Sequence, residues 1–309
     1  MRYQKQILFR EIGKEGQANL KKKTVAILGC GALGSVAAEL LARAGIGKLI
    51  LIDRDIVELD NLHRQSLYTE KDVGEVKVVA LESHLKEINS EVKVEIYAID
   101  LDVQNVNLLK SDVILDCTDN FYTRFVVNDY CKKVNLPWVF SSAVGASGFV
   151  YPVLQDSPCF RCVFEIPTTS LGTCDTEGVI SPIIHSVASL QVSLAFQLLL
   201  KKKVEVELIY LNMWSFNLNK IKVTKKKDCP TCKEEFEFLS EKKKKEVVKM
   251  CGRELFQIRT NLKLNEIKEG KRGKKSLFLK DITLFEDGRV LIHAKSEGEA
   301  KKKLERYFG

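Results

Sequence analysis

The sequence predicts an α/β protein: a doubly wound, mostly parallel sheet with an antiparallel extension, followed by a small C-terminal α+β domain. Three observations carry that expectation. Strand-length apolar runs alternate with helix-period segments from Thr24 to Ser141, the pattern of successive βαβ units. The first unit has a glycine turn between strand and helix, Gly29-x-Gly31-x-x-Gly34. After Gly145 the alternation gives way to short extended runs around one long helical segment. A charged stretch, Lys225 to Lys245, then separates residues 1–232 from a unit at 233–309.

The elements follow in order. Ile7, Leu8, Ile12 and Leu20 recur at helix-like intervals, so residues 1 to 23 read as an arm and a helix. Val25 to Leu28 is a buried strand, Ser35 to Ala44 a helix, and Leu49 to Ile52 a second strand ending on Asp53. The acid lies about 20 residues beyond the glycines, where a Rossmann-like unit places the carboxylate that accepts from ribose hydroxyls. Glycines admit a phosphate close to the backbone and the helix N-terminus offers unpaired N–H donors, so this unit is expected to bind a nucleotide. A helix begins near Lys77, with Val78, Leu81 and Leu85 on one face. Val92 to Ala98 alternates as a strand, Val113 to Cys117 is a buried strand running into DCTDN, and helix Arg124 to Val134 and strand Trp138 to Ser141 follow. The GASGFVYPV segment reads as antiparallel strands, Pro182 to Leu200 as one long helix, and Glu205 to Asn212 and Lys220 to Thr224 as closing strands. In the last unit ITLF-EDG-RVLIHA is a hairpin with an Asp287-Gly288 turn, covered by a helix from Glu297 to Tyr307.

With 45% apolar residues in 309, the chain can bury a substantial core. Its most apolar long segment, Ile183 to Leu200, is interrupted by His185, Gln191 and Gln197, so no membrane span is expected. The N-terminus lacks a signal-peptide pattern, which points to the cytoplasm. The net charge of +8 comes from lysine runs, read as solvated faces rather than a nucleic-acid surface. Nine cysteines, an odd number, favour thiol or metal chemistry over a disulfide framework.

Two constellations carry chemistry. Cys159-x-x-Cys162 and Cys229-x-x-Cys232 are two tight pairs able to place four thiolates about 2.3 Å from a zinc ion, a closed structural site; an iron–sulfur centre is the alternative. Beyond Asp53 stand Asn61, Arg64, Gln65 and Lys77, with Asp116 and Asp119 at the end of a later strand. Ligands of such sheets bind outside the strands' carboxyl ends. There Arg64 and Lys77 are expected near the phosphates, and a carboxylate such as Asp119 is expected to hold a magnesium ion. Positive charge gathered at that edge favours ATP over a nicotinamide cofactor.

These residues carry a resemblance. The strings RYxxQ at Arg2 to Gln6, GCGALG, the aspartate of LIDRD, NLHRQ, VGEVK, DCTDN, both cysteine pairs and TCDTEGV at Thr173 to Val179 occur in order across residues 1 to 232. The chain resembles the MoeB/ThiF/HesA adenylyltransferases of the ubiquitin-activating-enzyme superfamily. The resemblance implies ATP-dependent activation of the C-terminal glycine of a ubiquitin-like β-grasp sulfur-carrier protein ending in Gly-Gly, by a homodimer. It also implies Asp53 on the ribose, Arg64 and Lys77 on the phosphates, Asn61 and Gln65 as polar lining, Asp119 on magnesium, and Cys174 as a thiol for later covalent transfer. Lys5 stands where the pattern usually has an arginine reaching the phosphates from the other subunit; it keeps the charge and loses the bidentate fork. The C-terminal unit resembles a small appended domain with an F-x-DGR-x-x-x-H string, here Phe285 to His293. Two alternatives stay open: an enzyme like the tRNA-threonylcarbamoyladenosine dehydratases, and a non-catalytic scaffold.

Overall fold

The computed structural model describes residues 2–165, 177–240, 247–249, 255–267 and 269–308. Cys174 and Cys251 lie outside the described residues.

The larger unit is built on an eight-stranded sheet in the order β3-β2-β1-β4-β5-β6-β7-β8. β1 (Thr24–Leu28), β2 (Lys48–Ile52), β3 (Lys93–Tyr97), β4 (Val113–Asp116) and β5 (Trp138–Val144) are parallel. β6 (Ser147–Val153), β7 (Glu207–Asn212) and β8 (Asn217–Lys222) extend the sheet antiparallel. The crossover helices are α3 (Ala32–Ala44), α4 (Lys77–Ile88) and α5 (Phe121–Val134). They explain the unbroken apolar strands. Val25 and Ile27 of β1 point into one core, while Ala26 and Leu28 point into the other, because a parallel sheet is covered on both faces.

Several boundaries differ from the sequence reading. The arm forms two short helices, α1 (Gln4–Leu8) and α2 (Gly13–Leu20), and Leu8 and Phe9 remain exposed. Helix α5 begins three residues early because the Asn120 side chain accepts from Tyr122 N at 2.9 Å, a capping signal. The last two strands of the large sheet start later and earlier than expected, at Glu207 and Asn217, since their register is fixed by pairing with each other around a hairpin. Of the charged stretch, residues 225–240 are described. Its helix α8 (Glu237–Ser240) folds back on α5, with Phe238 stacked 4.9 Å from Phe125.

The long helix α7 (Ser181–Leu199) follows the four-residue α6 (Phe160–Val163). It is the one helix among the described residues long and apolar enough to cross a membrane by length and composition. Here it packs on α3, β4, β5 and β6. Its fully buried Gln191 explains the polar interruption: Nε2 donates to the carbonyls of Asp116 at 3.0 Å and Val139 at 2.9 Å.

A buried ion pair locks the end of β4. Arg124 Nε lies 3.2 Å from Asp116 Oδ2, both groups buried, and the guanidinium stacks over the Phe121 and Phe140 rings at 5.1 and 4.8 Å. Burial pushes the Asp116 carboxyl up, and Arg124 and Thr118 pull against that. Removing one partner of a buried pair leaves an uncompensated charge. Arg124→Ala is therefore expected to lower unfolding stability by about 3–5 kcal/mol, measurable by urea titration; a loss under about 1 kcal/mol would contradict the pairing.

The C-terminal unit is an antiparallel sheet of six strands among the described residues, with β9 (Val247–Lys249), β10 (Leu255–Arg259), β11 (Lys271–Arg272) and β12 (Ser276–Leu279) arranged with the next two in the order β11-β12-β13-β14-β10-β9, and with helix α9 (Glu297–Phe308). The expected hairpin is β13 (Ile282–Phe285) and β14 (Arg289–His293). Gly288 turns it at φ +78°, where a Cβ would meet the Thr260 carbonyl oxygen at 2.5 Å. Ala300, Leu304 and Phe308 of α9 join the hairpin's core.

Candidate active site and metal centre

The order β3-β2-β1-β4 reverses between β1 and β4, and the loops leaving their carboxyl ends meet there, the expected ligand crevice of such a sheet. The glycine loop is shaped by close approach. A Cβ on Gly29 would lie 2.7 Å from the Cys117 carbonyl oxygen, and one on Gly34 1.8 Å from the Gly29 carbonyl oxygen. Gly31 begins α3 with no side chain capping it, so the first N–H groups of the helix remain for an anion.

Asp53 anchors the loop from the other side. Its Oδ2 accepts from Cys30 N at 2.6 Å and its Oδ1 from Asp55 N at 2.7 Å. Burial pushes this carboxyl up while Lys77 pulls it down and Asp55 adds repulsion. Lys77, itself buried, reaches Asp55 Oδ2 at 3.5 Å. Arg54 donates from Nη1 to Asp100 Oδ1 at 3.3 Å. Burial lowers the proton affinity of this guanidinium, but the charges of Asp55, Asp100, Asp119 and Asp53 outweigh it and hold the proton on. Four acids from the loops after β2, β3 and β4 thus surround one cation.

The remaining lining comes from the NLHRQ segment. Asn61 is fully buried and fastens its own turn, accepting from Glu58 N at 3.3 Å and donating to Asp60 Oδ1 at 2.8 Å. That turn presents Arg64, whose Nη1 donates to the Asp60 carbonyl at 2.8 Å, and Gln65. Gln65 sits above Gly31, its Nε2 3.7 Å from where a Cβ there would be, and its buried Oε1 has no partner among the described residues. An unsatisfied amide oxygen beside a bare helix start fits a polar ligand that the chain itself does not supply. Asp119 is exposed just before the Asn120 cap of α5.

Lys5 is not part of this crevice. Its helix packs at the opposite end of the sheet: Gln6 Nε2 donates to the Ala44 carbonyl at 2.9 Å and Asn89 Nδ2 donates to Tyr3 Oη at 2.8 Å. Ala44 ends α3, whose other end is the glycine loop; with 13 residues the helix is about 20 Å long.

The four cysteines converge. Their Sγ atoms lie within 4.8 Å of one another, with 3.9 Å between Cys159 and Cys162, 3.4 Å between Cys159 and Cys229, and 3.5 Å between Cys162 and Cys232. A tetrahedron with about 2.3 Å bonds has edges near 3.8 Å, so the donor set fits a single ion and is too open for disulfides. Burial and the neighbouring sulfurs push the Cys229 thiol up to about 11 and Cys159 higher still; a divalent cation removes that penalty. Both knuckles are tied to α5. Lys132 donates to the carbonyls of Leu154, Gln155 and Ser157 at 2.6–2.8 Å, ahead of Cys159. Asp129 accepts from Thr231 Oγ1 at 2.5 Å and Phe238 N at 3.0 Å, around Cys232. These clamps lie about two to three turns along α5 from its Asp119 end, which separates the four-cysteine cluster from the crevice.

The ThiF family model matches residues 3–231. The chain belongs to the ThiF family. A "Sulfur carrier protein ThiS adenylyltransferase" from Bacillus subtilis (strain 168) is 36% identical over 100% of this chain and 99% of that protein. A "Sulfur carrier protein adenylyltransferase" from Thermus thermophilus is 34% identical over 76% of this chain and 91% of its own length. Among solved structures, E. coli MccB with MccA-N7isoASN superposes with a TM-score of 0.67 at 24% identity over 75% of each chain, a likeness of fold. This ThiF-family chain is an enzyme of the adenylyltransferase class.

Sequence reasoning did not single out Arg54 and Asp55. The signal was available, since both directly follow a ribose-type acid at a strand's carboxyl end, where side chains face the crevice.

Proposed function

We propose that this enzyme uses ATP to adenylate the C-terminal glycine carboxylate of a ubiquitin-like β-grasp sulfur-carrier protein ending in Gly-Gly. The observation that carries the reading is the convergence of the bare start of α3, Asp53, the Arg54 and Lys77 cations and Asp119 at one switch point. Asp53 orients the ribose, the first N–H groups of α3 face the phosphates, and Arg64 and Lys77 stabilise the charge that develops as a carboxylate oxygen attacks the α-phosphorus and pyrophosphate departs. The nucleophile is already ionised, so no general base is required. Asp119 would hold a magnesium ion, which neutralises phosphate charge when bound. The four cysteines would hold zinc as a closed structural site. The full-length match to an adenylyltransferase of a named sulfur carrier supports the carrier reading over a dehydratase or a scaffold.

The position of Lys5 at the far end of α3 supports a homodimeric working unit in which each copy lends its Lys5 to the other. Lys5→Ala should slow carrier-dependent pyrophosphate exchange at least tenfold, and Lys5→Arg should preserve or raise it by restoring the two-pronged phosphate contact. Co-expression of Lys5→Ala with Asp119→Ala chains, each impaired alone, should rebuild one working site per mixed dimer. A mixed dimer no faster than the average of its parents would refute the shared site.

A further inference from the structure

The string from Phe285 to His293 has no part in the chemistry above, yet its arginine is fully buried and points out of its own domain. Arg289 Nη1 donates to the backbone carbonyl of Arg54 at 3.2 Å and to Gln257 Oε1 at 3.4 Å, and Nη2 donates to the carbonyl of Ala98. Nε returns to Asp287 Oδ2 at 2.6 Å, and the guanidinium lies over the Phe285 ring at 4.6 Å. The two backbone acceptors are not arbitrary. Arg54 sits between Asp53 and Asp55, and Ala98 follows Tyr97, whose carbonyl accepts from Asp53 N at 3.2 Å. One planar fork therefore ties the carboxyl ends of β2 and β3 together at the level of the ribose acid.

A neighbouring strand reinforces the tie. β10 (Leu255–Arg259) pairs with β14, bringing Gln257 beside Arg289. Gln257 Nε2 donates to Asp100 Oδ2 at 3.4 Å, and the other oxygen of that carboxylate accepts from Arg54 at 3.3 Å. The C-terminal sheet thus holds both the backbone and the side chain of Arg54. A buried guanidinium is a costly way to fill a core and a good way to fix several acceptors at once, because its donors are pre-organised in one plane.

We infer that the C-terminal domain is a working part of the nucleotide site, with Arg289 a positioning residue that sets the Asp53–Asp55 turn for ATP. The inference rests on the nucleotide reading of the crevice. Docking of the domain and binding of ATP are then linked, and the linkage is reciprocal.

The test is MgATP affinity of the full chain by calorimetry, alongside kinetic constants for ATP and carrier. Wild-type protein that fails to bind MgATP would overturn the nucleotide reading itself. Given wild-type binding, Arg289→Lys, which keeps the charge and loses the fork, should weaken MgATP and raise its KM about tenfold, with the carrier's KM unchanged. Leu304→Ala loosens the same domain's core away from Arg289; it should lower the melting temperature and leave MgATP affinity intact. A folded Arg289→Lys protein that binds MgATP as wild type does, or a Leu304→Ala protein that loses affinity equally, overturns the inference. Should Arg289→Lys not fold, hydrogen exchange on wild type decides: MgATP should slow amide exchange at 255–259 and 289–293 as well as at 53–57, and no slowing in the two C-terminal strands overturns it.

Discussion

Asp119→Ala is expected to lose carrier adenylation by about two to three orders of magnitude, the scale on which single groups that stabilise transition-state charge are worth, while the protein stays folded. The two halves of that expectation come from one location. Asp119 is exposed on the loop between β4 and α5, and it enters the crevice through its charge on Arg54 rather than through a core contact. On the proposed reading, removing it takes away the carboxylate that would hold magnesium at the phosphates. Its structural contribution is limited to a negative charge ahead of the helix start, about 0.3–1 kcal/mol. Asp119→Asn, of nearly the same shape, should be equally inactive. Undiminished exchange in either variant at saturating magnesium would remove Asp119 from the mechanism.

Metal removal should have the largest effect on stability. The four-cysteine cluster joins the turn before α7 to the turn after β8, segments 70 residues apart in the chain that meet at Cys159 and Cys229. Structural zinc in small domains contributes about 10–16 kcal/mol of apparent binding free energy that is also folding free energy. Much less of that is lost here, because Lys132 and Asp129 clamp the same turns independently. Stripping the metal with a strong chelator, or Cys162→Ser, should still lower the melting temperature by about 10 °C or more, given that each kcal/mol is worth about 2–4 °C in a chain of this size. Mass spectrometry of the purified protein should find one zinc per chain. Zinc well below one, or an unchanged melting temperature in the stripped protein, contradicts a structural centre.

The parts of the site that were legible in the sequence are those written in local spacing. Gly29, Gly31 and Gly34 can be read because a turn and a helix start constrain only neighbouring residues, and Asp53 because it ends the next strand. The cysteine pairs are legible for the same reason: each C-x-x-C is a single turn, and four thiols on two turns have one common use. Long-range placement is what escaped. That Lys5 lies away from its own chain's crevice was implied only by the family resemblance, since it depends on how α1 docks against Ala44 and Asn89, far away in the chain. That Arg289 grips the Arg54 carbonyl depends on a contact across 235 positions. Neither is encoded in any window of the sequence. Element boundaries failed where tertiary pairing sets them, as at Glu207 and Asn217, and succeeded where an apolar run ends on a charge, as at Asp53.

Transfer of AMP from ATP to a carrier's terminal carboxylate is tested most directly by isotope exchange between pyrophosphate and ATP with a panel of β-grasp proteins ending in Gly-Gly. Magnesium-dependent exchange is expected to begin only when one such carrier is added and to disappear when that carrier's last glycine is removed or its carboxylate amidated. Exchange independent of any carrier, or binding of NAD without binding of ATP, would contradict it.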